Sequence, residues 1–176
     1  MQSQTNISKA SRRTKALALS AMFACLALIF SYVEAMIPFN IGIPGVKLGL
    51  ANLVVVIALY EMNFRYAFVI NVIRILIAGL LFSGVFGALY SLAGGVLSLL
   101  VMWLLKKTDL FSMVGVSMAG GVAHNMGQLL VAAAIVSNLH MFLYFPILMF
   151  SGIASGILMG VTAYIIDRKI PKSIFR

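Results

Sequence analysis

Residues 120–133 read GGVAHNMGQLLVAA: three hydrogen-bonding side chains, His124, Asn125 and Gln128, fall within five residues of an otherwise apolar run. In a soluble protein such a run is a core helix. In a membrane it is a spanning helix, whose polar groups must face other helices or a cavity. The architecture turns on which of the two it is.

Composition points to the membrane. The 176 residues are 62% hydrophobic and 10% charged, with a mean hydropathy of +1.09. Soluble domains carry roughly a quarter charged residues. A chain this short cannot bury so much apolar surface in a core of its own. Lipid must cover much of it, so the chain reads as an all-α integral membrane protein of one compact domain. The formal net charge is +9. In a soluble chain that would suggest nucleic acid; here the cations sit at the chain ends and in short loops, which is a topology signal. Cys25 is the only cysteine, so no intrachain disulfide and no cysteine-based metal cluster can form.

A spanning helix needs roughly 20 mostly apolar residues. Six segments emerge, at about 16–37, 49–60, 66–82, 85–105, 112–137 and 142–166. The first follows a basic start, as a signal peptide does. It is longer than the usual apolar region of roughly 7–15 residues, so it reads as a helix that stays. The second, GLANLVVVIALY, covers only about 18 Å at 1.5 Å per residue. Either the preceding IGIPGVK extends it, or it does not fully cross.

Six spans give a basic tail at 1–15, a transmembrane domain at 16–168 and a second basic tail at 169–176. Both ends then share one side with Lys9, Arg12, Arg13, Lys15, Arg65, Lys106, Lys107, Arg168, Lys169, Lys172 and Arg176, and the other side receives only Lys47. That asymmetry predicts a multi-pass plasma-membrane protein with both termini cytoplasmic. Five spans would put the two basic ends on opposite sides. The first outer connection, PFNIGIPGVKLG at 38–49, is broken by Pro38, Pro44, Gly42, Gly45 and Gly49 and cannot be one helix. It reads equally as a lid over the outer face or as a turn-rich connector.

Catalysis finds little support. The chain has four acidic residues, Glu34, Glu61, Asp109 and Asp167, none close to another in sequence. Carboxylate or Mg2+ chemistry usually needs them in pairs. No phosphate-binding Gly-x-x-x-x-Gly-Lys-Ser/Thr loop occurs, so the chain does not hydrolyse ATP itself. No metal and no cofactor is expected.

The polar residues inside the apolar runs carry the functional reading. Arg74 lies near the middle of the third segment and shares a helical face with Asn71 and Ala78. His124, Asn125 and Gln128 share one broad face of the fifth. Glu34 and Asn52 lie near the outer ends of the first and second, and Lys47 lies in the outer connection. These residues can converge on one outward-opening pocket, where Lys47 and Arg74 would favour an anionic or electron-rich ligand. Each also has a bland reading. Arg74 can pair with Glu34, and the amides can simply tie helices together. The convergence of four helices at compatible depth favours the site.

Small residues point to packing. Gly152, Gly156 and Gly160 form GxxxGxxxG, which lets helices approach closely. Internal packing is the stronger reading for them. Ala16, Ser20 and Ala24, and also Ala21 and Cys25, repeat at four-residue spacing on the first helix, where a membrane partner can dock.

The runs PGVKLGLANL, NVIRILIAGLLF, SLAGGVLSLLVM and GVSMAGGVAHNMGQLLVA together resemble the family known both as heptaprenyl diphosphate synthase component I and as the Gx transporter family. The resemblance covers roughly residues 15–168. A prenyl diphosphate synthase of the usual kind works through paired aspartate-rich Mg2+ motifs, which this sequence lacks. The second name implies a fold similar to the substrate-binding S components of energy-coupling factor vitamin transporters. There a solute is captured from outside beneath the first outer loop, and a transmembrane scaffold with two ATPases drives toppling of the subunit. The scaffold docks on a small-residue stripe, here Ala16-xxx-Ser20-xxx-Ala24. The family's link to flavin-dependent redox gene sets implies a flavin-like or quinone-precursor ligand.

The expectation is therefore a lipid-embedded importer subunit without catalysis of its own. Lys47, Asn52, Arg74, His124, Asn125 and Gln128 would bind the small molecule. A second reading is an accessory membrane component of heptaprenyl diphosphate or quinone synthesis. A third is a structural subunit of a redox complex.

Overall fold

The computed structural model describes residues 2–37 and 48–175, and among them the chain is helical throughout, with no strand. Six α-helices follow one another: α1 (Gln2–Met36), α2 (Leu50–Glu61), α3 (Phe64–Ala78), α4 (Gly84–Lys107), α5 (Met113–Val136) and α6 (Phe145–Lys169). Four stretches are long and apolar enough to cross a membrane: Arg13–Met36, Phe64–Lys107, Met113–Val136 and Leu139–Lys169. Large apolar side chains such as Leu17, Leu81, Phe86 and Phe150 lie outward on them, where lipid is the natural cover. The basic segment expected as a tail before residue 16 continues α1, which starts at Gln2.

The Phe64–Lys107 stretch is two helices folded back on each other. A π turn, Gly79–Ser83, ends α3, and Gly84 then takes φ 69°, a left-handed value that suits a residue without Cβ. Beyond it the chain reverses. The Asn71 Nδ2 donates to the Gly95 carbonyl at 2.9 Å. In one straight helix those residues would stand about 36 Å apart.

The short α2 is the centre. Ala51 and Leu53 to Leu59 are buried, and no α2 residue is exposed. A helix apolar all round is a buried helix. Phe23, Ala24 and Ala27 of α1, Ala67 and Ile70 of α3, Leu99 and Met102 of α4, Met113 and Val116 of α5, and Met159 and Ala163 of α6 join it in one core. Its length, anomalous for a span, follows from this position.

Glycines set the close approaches around α5. A Cβ on Gly152 would stand 2.8 Å from the Gly121 carbonyl oxygen, and one on Gly156 2.6 Å from Met118 Cα. Gly160 lies as close to Val114. The GxxxGxxxG face of α6 is thus turned onto α5. On its other side, α5 meets α4 through Gly127, beside Ala93 and Gly94.

The small stripe of α1 is split. Ala24 is buried in the core, and the Ser20 hydroxyl donates to its own helix at Ala16 O, 2.8 Å away. Ala21 and Cys25 lie outward instead. Neighbouring residues point about 100° apart around a helix axis, and α1 needs Phe23, Ala24 and Ala27 to cover α2.

One end of the bundle collects charge. Lys15 Nζ donates to Ser173 O at 3.1 Å, which joins the start of α1 to the segment after α6. Lys106 Nζ donates to Leu59 O at 2.7 Å and lies over the Tyr60 ring, so a cation covers the carbonyl end of α2. Lys172 bridges Glu61 and Asp167. The hydrogen bond that Lys172 donates to the Glu61 carboxylate raises the ammonium above its ordinary value.

Candidate functional site

The opposite end of α2 opens on a cavity of about 300 Å3. Every helix contributes to its lining: Glu34 from α1, Asn52 from α2, Arg74 from α3, Ser91 from α4, His124 and Asn125 from α5, and Ser155 from α6. The alternating helix directions place these residues at the end remote from Lys106 and Lys172.

Arg74 dominates the chemistry. It is 9% exposed, yet it has no carboxylate in ion-pair contact; the salt bridges among the described residues are those of Lys172 at the far end. Its Nη2 donates to Asn71 Oδ1 at 2.8 Å and to Asn52 Oδ1 at 3.1 Å. Its Nε has no acceptor among the described residues. The buried guanidinium is thus held by two neutral amides and keeps one donor that a further acceptor can take.

Glu34 takes another partner. Its Oε1 accepts from the Gly49 backbone N–H at 2.6 Å. Gly49 adopts φ 77° immediately before α2, so the carboxylate lies at the positive end of that helix. The pair closes the base of the connection between α1 and α2. The pairing of Glu34 with Arg74 anticipated as a structural alternative is absent as a direct bridge, although both side chains line the cavity.

The other expected residues divide. Asn125 Nδ2 donates to Leu148 O at 2.7 Å and to Ser151 Oγ at 3.2 Å, which binds α5 to α6 at the cavity wall. His124 lines the cavity, with its ring close to Gly94 of α4. Gln128 does not reach it. It is 1% exposed and packed on Gly94, one turn beyond the lining, and its Nε2 has no acceptor among the described residues. Lys47 and the connection at 38–47 lie outside the described residues.

Sequence reasoning passed over Ser31, Ser83, Ser91 and Ser155, which all line the cavity. Serine is common wherever helices pack closely, so nothing in the residue type marked them. Asn71 has a larger role than its place on the Arg74 face suggested, since it holds both Arg74 and Gly95. Among the described residues, no group of three or more His, Cys, Asp or Glu side chains is placed to hold a metal ion.

A family model described as heptaprenyl diphosphate synthase component I matches residues 23–166, and the chain belongs to that family. The match runs from the core face of α1 nearly to the end of α6, so it includes every described lining residue. No curated protein and no solved structure matches the chain.

Proposed function

We propose that the chain is the substrate-binding membrane subunit of a small-molecule importer, similar to an S component and without catalysis of its own. The observation that carries this is Arg74: a buried guanidinium with an unused Nε donor, facing a cavity large enough for a small solute. In this reading all six helices lie in the plasma membrane, with α3 and α4 as two spans and α2 sheltered at the centre. The basic end faces the cytoplasm and the cavity opens outward. The solute is vitamin-like, flavin-like or otherwise anionic, and Lys47 is a further expected contact to it. Asn52, His124 and Asn125 line the site with Arg74, and Gln128 supports it from one turn away. A transmembrane scaffold with two ATPases supplies the energy. It docks on α1, with Ala16 and Ser20 contributing from the part of the stripe outside the core.

The test starts from protein purified in mild detergent. Mass spectrometry of the denatured sample identifies a bound small molecule, and its binding is compared for the wild type and Arg74→Ala. The expected result is a ligand with the wild type and none with the variant. Equal binding by a well-folded Arg74→Ala would remove the basis of the proposal.

The family's name favours a second reading, a membrane component that assists isoprenoid diphosphate synthesis. Capture of a soluble prenyltransferase on the tagged chain, in place of a scaffold and ATPases, would support it.

A further inference from the structure

The cavity has two poles of opposite chemistry. Glu34 and Ser31 stand three residues apart on α1 and both line it. The Ser31 hydroxyl donates its one proton to Ala27 O at 2.9 Å, so it offers lone pairs to a ligand. The Ser155 hydroxyl is committed in the same way to Gly152 O at 3.3 Å. Glu34 uses Oε1 for Gly49 and has a second oxygen to offer. The α1 wall is thus an acceptor surface with a negative charge. In the same lining, α3 supplies Arg74, whose Nε is a donor without an acceptor among the described residues.

Glu34 and Arg74 are the only carboxylate and guanidinium among the described lining residues, and with the His124 imidazole neutral the formal charges of that lining cancel. A solute with one charge satisfies one pole and leaves the other desolvated beside it, which is costly in a low-dielectric site. A solute with both charges satisfies both. Flat aromatic ligands are poorly served, because Phe82 is the one Phe, Tyr or Trp among the described lining residues. The volume, about 300 Å3, is at the small end of ligand cavities.

We infer that the captured solute is a small zwitterion. Its carboxylate or phosphate sits on Arg74, and its ammonium group sits on Glu34 and Ser31. This rests on the cavity being a ligand site and goes beyond it by fixing the charge type at both poles.

The experiment is a thermal-shift and calorimetric screen of the purified full chain. The probes are small amino acids, amino-phosphates and betaines, with matched analogues that lack either the amine or the anion, and neutral polyols. Wild type and Glu34→Gln are compared, since glutamine retains the acceptor for Gly49. The expected result is that a zwitterion stabilises the wild type and its deaminated analogue binds about tenfold more weakly. In Glu34→Gln that discrimination shrinks to about threefold or less. A monoanion or a neutral polyol that binds the wild type as tightly as any zwitterion would overturn the inference and leave the cavity as a ligand site. If no class binds and mass spectrometry finds no co-purified molecule, the inference and the importer reading fall together.

Discussion

Asn71 holds Arg74 in place: its Oδ1 accepts from the Arg74 guanidinium at 2.8 Å, while its own Nδ2 anchors to Gly95 O on α4. Asn71 is 1% exposed and is absent from the cavity lining, so it acts on a ligand only through the arginine. Asn71→Leu removes both bonds: among the described residues Arg74 keeps only Asn52 as an acceptor and Gly95 O keeps only its helical bond, at a cost of about 1–3 kcal/mol. Asn71→Asp differs. It puts a carboxylate beside Arg74 and competes with an anionic ligand. Leucine is therefore expected to lower the melting temperature, and aspartate chiefly to weaken ligand affinity. Melting curves and titrations on both variants check the split.

Gln128 gives the opposite test. Its amide nitrogen is buried with no acceptor among the described residues, and it stands one turn from the cavity. Gln128→Met keeps the length and removes the desolvated amide, which carries a penalty of about 1–3 kcal/mol when unpaired. Unchanged or raised thermal stability is expected, with ligand affinity within a factor of about three. A large loss of affinity in calorimetry would bring Gln128 into the site.

Gly152 meets α5 backbone to backbone. A methyl group there stands 2.8 Å from the Gly121 carbonyl oxygen, and no flexible side chain can yield. Gly152→Ala is expected to force α5 and α6 apart and to cost about 1–3 kcal/mol. A lower melting temperature in detergent measures it. Asn125 must then stretch its bonds to Leu148 and Ser151, so loss of ligand is expected to accompany the loss of stability.

Lys172 offers a pH test at the other end. Its ammonium is raised by the hydrogen bond it donates to Glu61. A raised value means that the bridge stabilises the fold fully below the ordinary lysine value near 10.5 and is lost as pH climbs through the raised one. The side chain is half exposed, so the contribution is about 0–1 kcal/mol. Lys172→Met is expected to lower stability by that amount at pH 7, and the difference from wild type should shrink as pH rises past 10.5 through the raised value. Melting curves across pH read it.

The helices were legible because lipid imposes apolar runs of defined length. The expected segments at 66–82, 85–105 and 142–166 lie within a few residues of α3 with its π turn, of α4 and of α6. The brevity of α2 was visible too, but its cause was not: burial on every side is a property of five neighbouring helices. At the site, Arg74 was conspicuous because a charge in an apolar run needs a reason. Asn52 and His124 joined it through depth alone. Gln128 shares a helical face with His124 but stands a full turn away, beyond the cavity lining. Glu34 was assigned to Arg74 as a structural alternative, yet it binds Gly49. A backbone donor made available by one left-handed glycine leaves no trace in a pattern of side chains.

The enclosure of α2 has a consequence for life in membranes of changing composition. When a bilayer thickens or thins, helices that touch lipid tilt to match it. Ala51 and Leu53 to Leu59 of α2 are buried and none of its residues is exposed, so lipid has little direct hold on it. The outer helices can lean with their surroundings while Asn52, on α2, remains a fixed reference for Arg74. Hydrophobic mismatch would then alter the mouth of the cavity before it altered the floor.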